Sequence, residues 1–304
     1  MKSAVTIEHV TKTFGTFAAV DDLSLEVPSN SIYGFIGPNG SGKTTTLRMI
    51  MRILHADRGT IRVLGSDDLD AACEQVGYLP EERGLYKKME VRAALRFHAE
   101  LKGCRDSRAA IDGWLERLGL AEWGGRKVEA LSKGMAQKVQ FIAAVVSRPR
   151  LVLLDEPFSG LDPVNRDVLR EAVLGLKRDG TTVIFSTHDM AVAETLCDFL
   201  FMIYKGRKVL DGTLEAIQDR YGSDTVRVRL EGNGFDPRDV PGVAHVTEFG
   251  RLHELRLAAG ADPQQVLAEL MARSAVRHFE VARPSLHDIF VRIARPETEA
   301  ADAS

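Results

Sequence analysis

Of all stretches in this chain, Gly37-Pro38-Asn39-Gly40-Ser41-Gly42-Lys43-Thr44 constrains the fold most tightly. It fits the GxxxxGK[ST] pattern, whose mechanical meaning depends on a strand before it and a helix after it. Ile32 to Ile36 reads as a short, uniformly apolar strand, and Leu47, Ile50, Met51 and Leu54 recur at three- and four-residue spacing, which predicts a helix over 44–54 with one buried face. Glycines let backbone amides curl around phosphates, and the helix N-terminus adds its dipole. Lys43 would then meet the β- and γ-phosphates as a point charge, and the Thr44 hydroxyl would ligate Mg²⁺. Gly37 to Thr44, with Thr45 behind them, are therefore the candidate ATP-binding residues.

Around this loop the pattern is that of an α/β domain. Val5 to Val10 and Leu23 to Val27 alternate with period two, as half-buried strands at a sheet edge do. Between Val91 and Val146 the texture is helical, with Val91, Leu95, His98, Leu101, Ile111, Leu115 and Leu118 marking apolar faces. Leu151 to Leu154 and Thr182 to Phe185 are uninterrupted apolar runs of the kind buried in parallel sheets, separated by a helix near 165–177. Leu200 to Tyr204 and Lys208 to Leu210 read as the last strands of that domain.

After Tyr221 a second unit begins, with an alternating strand at Val226 to Leu230, a strand pair within Val243 to Leu257, a helix at Pro263 to Arg273 and a strand at Phe279 to Val281. Gly232-Asn233-Gly234 and Pro241-Gly242 are turn signals. Residues 296–304 are small, acidic and proline-punctuated, the composition of a disordered tail.

The run Leu151 to Leu154 ends in Asp155-Glu156. Alone, an acidic pair after a strand is usually a helix N-cap or a solvated loop end. Beside a phosphate loop it becomes the second half of a nucleotide site, with Asp155 holding the Mg²⁺ shell and Glu156 polarising the attacking water.

A net charge of −3 argues against an electrostatically driven nucleic-acid binder. Cys73, Cys104 and Cys197 form no CxxC pair, so neither a disulfide framework nor a zinc site is indicated. The longest apolar runs, Phe141 to Val146 and Phe199 to Tyr204, are six residues, far short of the ~20 a membrane helix needs. The N-terminal residues lack the apolar stretch of a secretory signal. Membrane contact is therefore expected only through a partner.

These motifs resemble those of the ATP-binding subunits of ABC transporters over roughly residues 3 to 215. Leu131-Ser132-Lys133-Gly134-Met135 is similar to the LSGGQ signature, Ser159-Gly160-Leu161-Asp162 to the D-loop, and Ser186-Thr187-His188-Asp189 to the switch-histidine loop; Phe14 stands where an aromatic stacks on adenine. The resemblance implies a P-loop, RecA-like core sheet with an N-terminal antiparallel β element and a helical subdomain at about 88–149, within an ATP-binding domain of residues 1–215. It implies a homodimer of such domains paired head to tail, with Ser132 and Gly134 of one closing over the ATP held by Lys43 of the other. Asp162 would sit in the D-loop, His188 at the γ-phosphate, and transmembrane permease subunits would be the partners. Taken singly, Phe14 reads more readily as a core aromatic and His188 as a satisfied loop histidine, while Ser132 and Gly134 read as a helix cap as well.

Three positions depart from the family pattern. Glu81 follows Tyr78-Leu79-Pro80 where glutamine is usual, although a carboxylate is still a good hard-metal ligand. In the signature, Lys133 and Met135 replace a glycine and a glutamine. Leu79-Pro80-Glu81-Glu82-Arg83-Gly84-Leu85 and Ser132-Lys133-Gly134-Met135 resemble an exporter branch, that of bacterial sodium-extrusion and drug-export ATPases, whose subunits carry an extra C-terminal domain. Arg283 to Phe290 is similar to the end of that domain, which gives a small α+β accessory domain at 221–295. The implied role is ATP hydrolysis that powers an exporter by dimer closure, from the cytoplasmic face of the cell membrane. The alternatives are a soluble ABC-type ATPase or a nucleotide-gated regulatory protein, and Glu156 speaks against the latter because a domain that merely binds ATP needs no base.

Overall fold

The computed structural model describes residues 2–82, 84–221, 225–231, 235–250, 252–258 and 260–294. Two compact units divide the chain, Met1–Thr213 and Leu214–Ser304. Gly232 to Gly234, where a turn is expected, the motif residue Arg83 and the tail at 296–304 lie outside the described residues.

In the first unit β1 (Ser3–Phe14) and β2 (Phe17–Pro28) form a hairpin, and β3 (Ile32–Ile36) leads through the glycine loop into α1 (Lys43–Ile50). β4 (Arg58–Val63), α2 (Leu69–Cys73) and β5 (Val76–Leu79) follow, then three helices, α3 (Val91–Leu101), α4 (Arg108–Arg117) and α5 (Lys133–Val145). Alternation resumes with β6 (Leu151–Asp155), α6 (Pro163–Arg178), β7 (Thr182–Thr187) and α7 (Met190–Leu196), and the unit ends on β8 (Phe199–Tyr204) and β9 (Arg207–Gly212).

The central sheet has the order β5-β6-β7-β3-β8-β9, parallel except for β9. Its inner strands are buried on both faces, which is why they read as unbroken apolar runs. Period-two alternation sends Ile32, Val152, Leu154, Val183 and Phe185 into one core with the helices, and Tyr33, Phe35, Leu151, Leu153 and Ile184 into another. Register aligns the strand ends: Ile36 lies beside Thr187, and Asp155 beside Ser186. The functional loops thus emerge from adjacent carboxyl ends of one sheet, the usual ligand position in open α/β folds.

Three local expectations are corrected. β1 lies in the middle of the N-terminal antiparallel sheet, order β2-β1-β4, rather than at a sheet edge. α1 stops at Ile50, and Arg52 takes a left-handed φ of 54°, so Met51 and Leu54 pack on the core from the turn beyond the helix. In α3 the buried face is Val91, Ala94, Leu95 and Ala99, whereas Leu101, the last helical residue, is exposed.

The second unit comprises α8 (Leu214–Tyr221), β10 (Thr225–Glu231), β11 (Val243–Phe249), β12 (Leu252–Leu257), α9 (Pro263–Arg273), β13 (Ala275–Ala282) and α10 (Leu286–Ala294). The strands form an antiparallel sheet of order β11-β12-β10-β13. One face, carrying Val226, Val228, Val246, Leu255 and Leu257, packs against Val266 and Leu270 of α9. The opposite face is polar, which explains the alternation of Val226 to Leu230.

Candidate active site

The glycine loop is shaped by close backbone approach. Gly42 caps α1 with a φ of 113°, and a Cβ there would stand 2.4 Å from the Ala19 carbonyl oxygen. A Cβ on Gly37 would stand 2.3 Å from the carbonyl oxygen of Ile203. Lys43 is buried, and its Nζ donates to the carbonyls of Gly37 at 2.7 Å and Pro38 at 3.1 Å. Burial lowers its pKa, while the carboxylates of Glu156, Asp155 and Glu81 oppose that shift. The ammonium is thus folded back on its own loop, 3.9 Å from Glu156 Oε1.

Asp155 closes β6 fully buried. Its Oδ1 accepts from Thr44 Oγ1 at 3.1 Å and from Ser186 Oγ at 2.5 Å, whereas its Oδ2 is buried without a hydrogen-bond partner. Glu156 turns the chain with a φ of 49°, a left-handed conformation that costs a non-glycine residue of order 1–3 kcal/mol and that clusters at functional sites. Two contacts hold it there: its N–H donates to Ser186 Oγ at 2.9 Å, and Gln137 Nε2 donates to the next carbonyl, Pro157, at 3.2 Å. Burial pushes the Glu156 carboxyl up, and the neighbouring His188 and Lys43 pull it down. His188 Nδ1 is 2.9 Å from Glu156 Oε1.

A cleft of about 420 Å³ brings together Phe14, Asn39, Gly40, Gly42, Lys43, Thr44, Thr45, Glu81 and Glu156. Phe17 and Ala19 complete its wall. Ser132, Gly134 and Asp162 are not part of that lining. Ser132 caps α5, its Oγ accepting from Met135 N–H at 3.3 Å, and Asp162 caps α6, its Oδ1 accepting from Asn165 N–H at 2.9 Å. Each therefore marks a helix start; the Asp162 carboxylate already takes amides of the first turn of α6, which opens with Pro163, whereas at α5 a neutral serine leaves the positive end of the helix dipole suited to an anion from outside.

Two contributors escape sequence reasoning. Ser186, the hydroxyl that ties Asp155 to the Glu156 backbone, shows only as one residue of a loop motif; its signal is its position at the end of a strand expected to neighbour β6. Phe17 faces Phe14 across the β1–β2 turn, and both rings are exposed at the cleft mouth.

Comparison with known proteins fits this geometry. A family model described as ABC transporter matches residues 20–159, and one described as ATP-binding protein DrrA1-3-like, C-terminal domain, matches residues 212–294. An uncharacterized ABC transporter ATP-binding protein, YhaQ of Bacillus subtilis (strain 168), is 43% identical over 94% of this chain and 97% of its own length. This chain belongs to the ATP-binding subunits of ABC transporters. The Nod factor export ATP-binding protein I of Mesorhizobium japonicum is 34% identical over 97% of this chain and 88% of its own length. A solved ATP-binding subunit of an ABC transporter superposes with a TM-score of 0.68 at 29% identity, covering 72% of this chain and 94% of that one. As a member of the family, this ABC subunit binds ATP, is an ATPase and works with transmembrane partners. Among the described residues no helix is long and apolar enough to cross a membrane. The relatives are transporter subunits, which favours the transporter role over the soluble alternatives.

Proposed function

We propose that this ABC subunit hydrolyses Mg·ATP in the cleft at Lys43 and powers an exporter from the cytoplasmic side of the membrane. Gly37 to Thr45 cradle the phosphates, with Lys43 leaving the carbonyls of Gly37 and Pro38 for the β- and γ-phosphates. Phe14 supports the adenine. Glu156 takes the proton of the attacking water, and His188 orients Glu156 and the γ-phosphate. The observation that carries this reading is the acidic pair at the end of β6: one carboxylate has a free buried oxygen, and the next lies between an imidazole and the loop lysine.

The residues present fit Mg²⁺. Asp155 Oδ2 is a buried acceptor with nothing to accept, and Thr44, Asp155 and Glu81 offer only hard oxygen donors. Among the described residues no group of three or more His, Cys, Asp and Glu is placed to hold an ion alone. Magnesium usually keeps several waters and binds through one or two carboxylates plus substrate phosphates, as this donor set allows. When bound, it neutralises charge on the phosphates during transfer.

Two copies pair head to tail, so that Ser132 and Gly134 of one cover the γ-phosphate held by the other, with Asp162 between the two sites. This accounts for capping groups that stand apart from the cleft they serve. The export direction rests on relatives such as the Nod factor export protein. The unit Met1–Thr213 carries every nucleotide motif, and the unit that follows is accessory to hydrolysis.

Mixing two inactive proteins, Lys43→Ala and Ser132→Arg, tests the shared site. In a mixed dimer one site pairs intact halves, so turnover should reappear in proportion to the mixed fraction. Mixed dimers that form yet hydrolyse no faster than either variant alone, while wild type paired with Lys43→Ala retains activity, would contradict it.

A further inference from the structure

Helix α5 begins at the signature serine and buries three polar side chains, each of which donates to a distant backbone carbonyl. Gln137 reaches Pro157 at 3.2 Å, Lys138 Nζ reaches Leu118 at 2.8 Å, and Gln140 Nε2 reaches both Pro80 at 3.2 Å and Glu82 at 3.0 Å. The two acceptors of Gln140 flank Glu81, and among the described residues of that loop Glu81 is the one that lines the nucleotide cleft.

Packing does not explain an amide here. Gln140 is almost wholly buried, and its Oε1 has no hydrogen-bond partner. A buried acceptor left unsatisfied is costly, and an apolar side chain here would remove that cost at Oε1 but take the donor away from the carbonyls of Pro80 and Glu82. The site tolerates that cost while the other end of the amide clasps two carbonyls on either side of one carboxylate. Without the clasp, the Pro80–Glu82 loop would lose its fixed distance from α5.

We propose that Gln140 is a positioning residue: by holding the carbonyls of Pro80 and Glu82 it sets the reach of the Glu81 carboxylate toward the metal of Mg·ATP, and it ties that loop to the helix that starts at Ser132. This rests on the reading of Glu81 as a metal ligand. Gln140 contributes no atom to the cleft and acts only through the loop.

The test uses the full chain carrying Glu81→Ala, Gln140→Leu or both. Binding of a fluorescent ATP analogue is followed as Mg²⁺ is titrated, and again in chelator without metal. Glu81→Ala should raise the Mg²⁺ concentration for half-maximal tightening. Gln140→Leu should raise it about three- to tenfold, the scale of a single net hydrogen bond, and leave metal-free binding within about twofold. In the double variant Gln140→Leu should add nothing to Glu81→Ala. A merely structural role would instead weaken binding alike with and without metal, and would add to Glu81→Ala; either result overturns the proposal. So does a Glu81→Ala shift with no shift in Gln140→Leu. If Glu81→Ala itself leaves the metal dependence unchanged, the ligand reading fails and the inference falls with it. Gln140→Met, also unbranched and without the amide, gives the same readouts should the leucine variant not fold.

Discussion

His188 Nδ1 lies 2.9 Å from Glu156 Oε1, the same oxygen that stands 3.9 Å from Lys43 Nζ. Two nitrogen groups thus share one buried carboxylate oxygen, and both oppose the upward push that burial gives the Glu156 carboxyl. A general base works only when deprotonated, so this arrangement places the acid limb of the rate profile.

Removing the imidazole should therefore move that limb. In His188→Ala the Glu156 carboxyl loses its hydrogen bond and the imidazole's charge, both of which lower its pKa, so its pKa rises further. The acid limb of kcat against pH is expected to shift to higher pH, besides an overall loss of rate. A limb that stays in place while the rate falls would show that His188 acts on the phosphate alone.

Asp155 should trade stability for metal. Its Oδ2 is buried and unpaired, so Asp155→Asn removes a desolvated charge. Melting without nucleotide is expected at or above the wild-type temperature, while the stabilisation by Mg·ATP, about 2.7 kcal/mol at a hundredfold excess over Kd, should largely vanish. A variant that Mg·ATP protects as well as it protects wild type would remove Asp155 from the metal shell.

The two inner loop glycines should differ. Gly40 has a φ of 76° and open space where a Cβ would go, so Gly40→Ala costs only the left-handed strain of about 1–2 kcal/mol. At Gly42 the same change adds a clash with the Ala19 carbonyl, and the cost should exceed that range. Denaturant midpoints that fall equally for both would show that the loop relaxes without resistance.

Much of the fold was legible because its signals are local. The strand ending at Ile36, the glycine loop and the strand ending at Asp155 each carry their pattern within a few residues, and the helix Pro263–Arg273 has its apolar spacing and its proline at the first turn. β4 was not legible: Arg58–Val63 holds only two apolar side chains, Ile61 and Val63, too few for alternation to show. Contacts between elements distant in sequence were hidden as well. Ser186 serves Asp155 from 31 residues away, and Gln140 serves the Glu81 loop from 58 and 60 residues away; no sequence spacing encodes either. The roles of His188 and Ser132 came into view only through resemblance, because a lone loop histidine or a capping serine has an ordinary structural meaning.

Hydrolysis at this site depends on Glu156 as the base, and Glu156→Gln tests that most directly. The amide can still hold a water and accept the contact to His188, but it cannot take the proton. ATP hydrolysis measured beside ATP affinity and dimer mass should show binding within a few-fold of wild type, a dimer that persists in ATP, and turnover reduced by about 10²–10⁴. Turnover within a factor of a few of wild type would contradict the assignment and with it the chemistry proposed for this site.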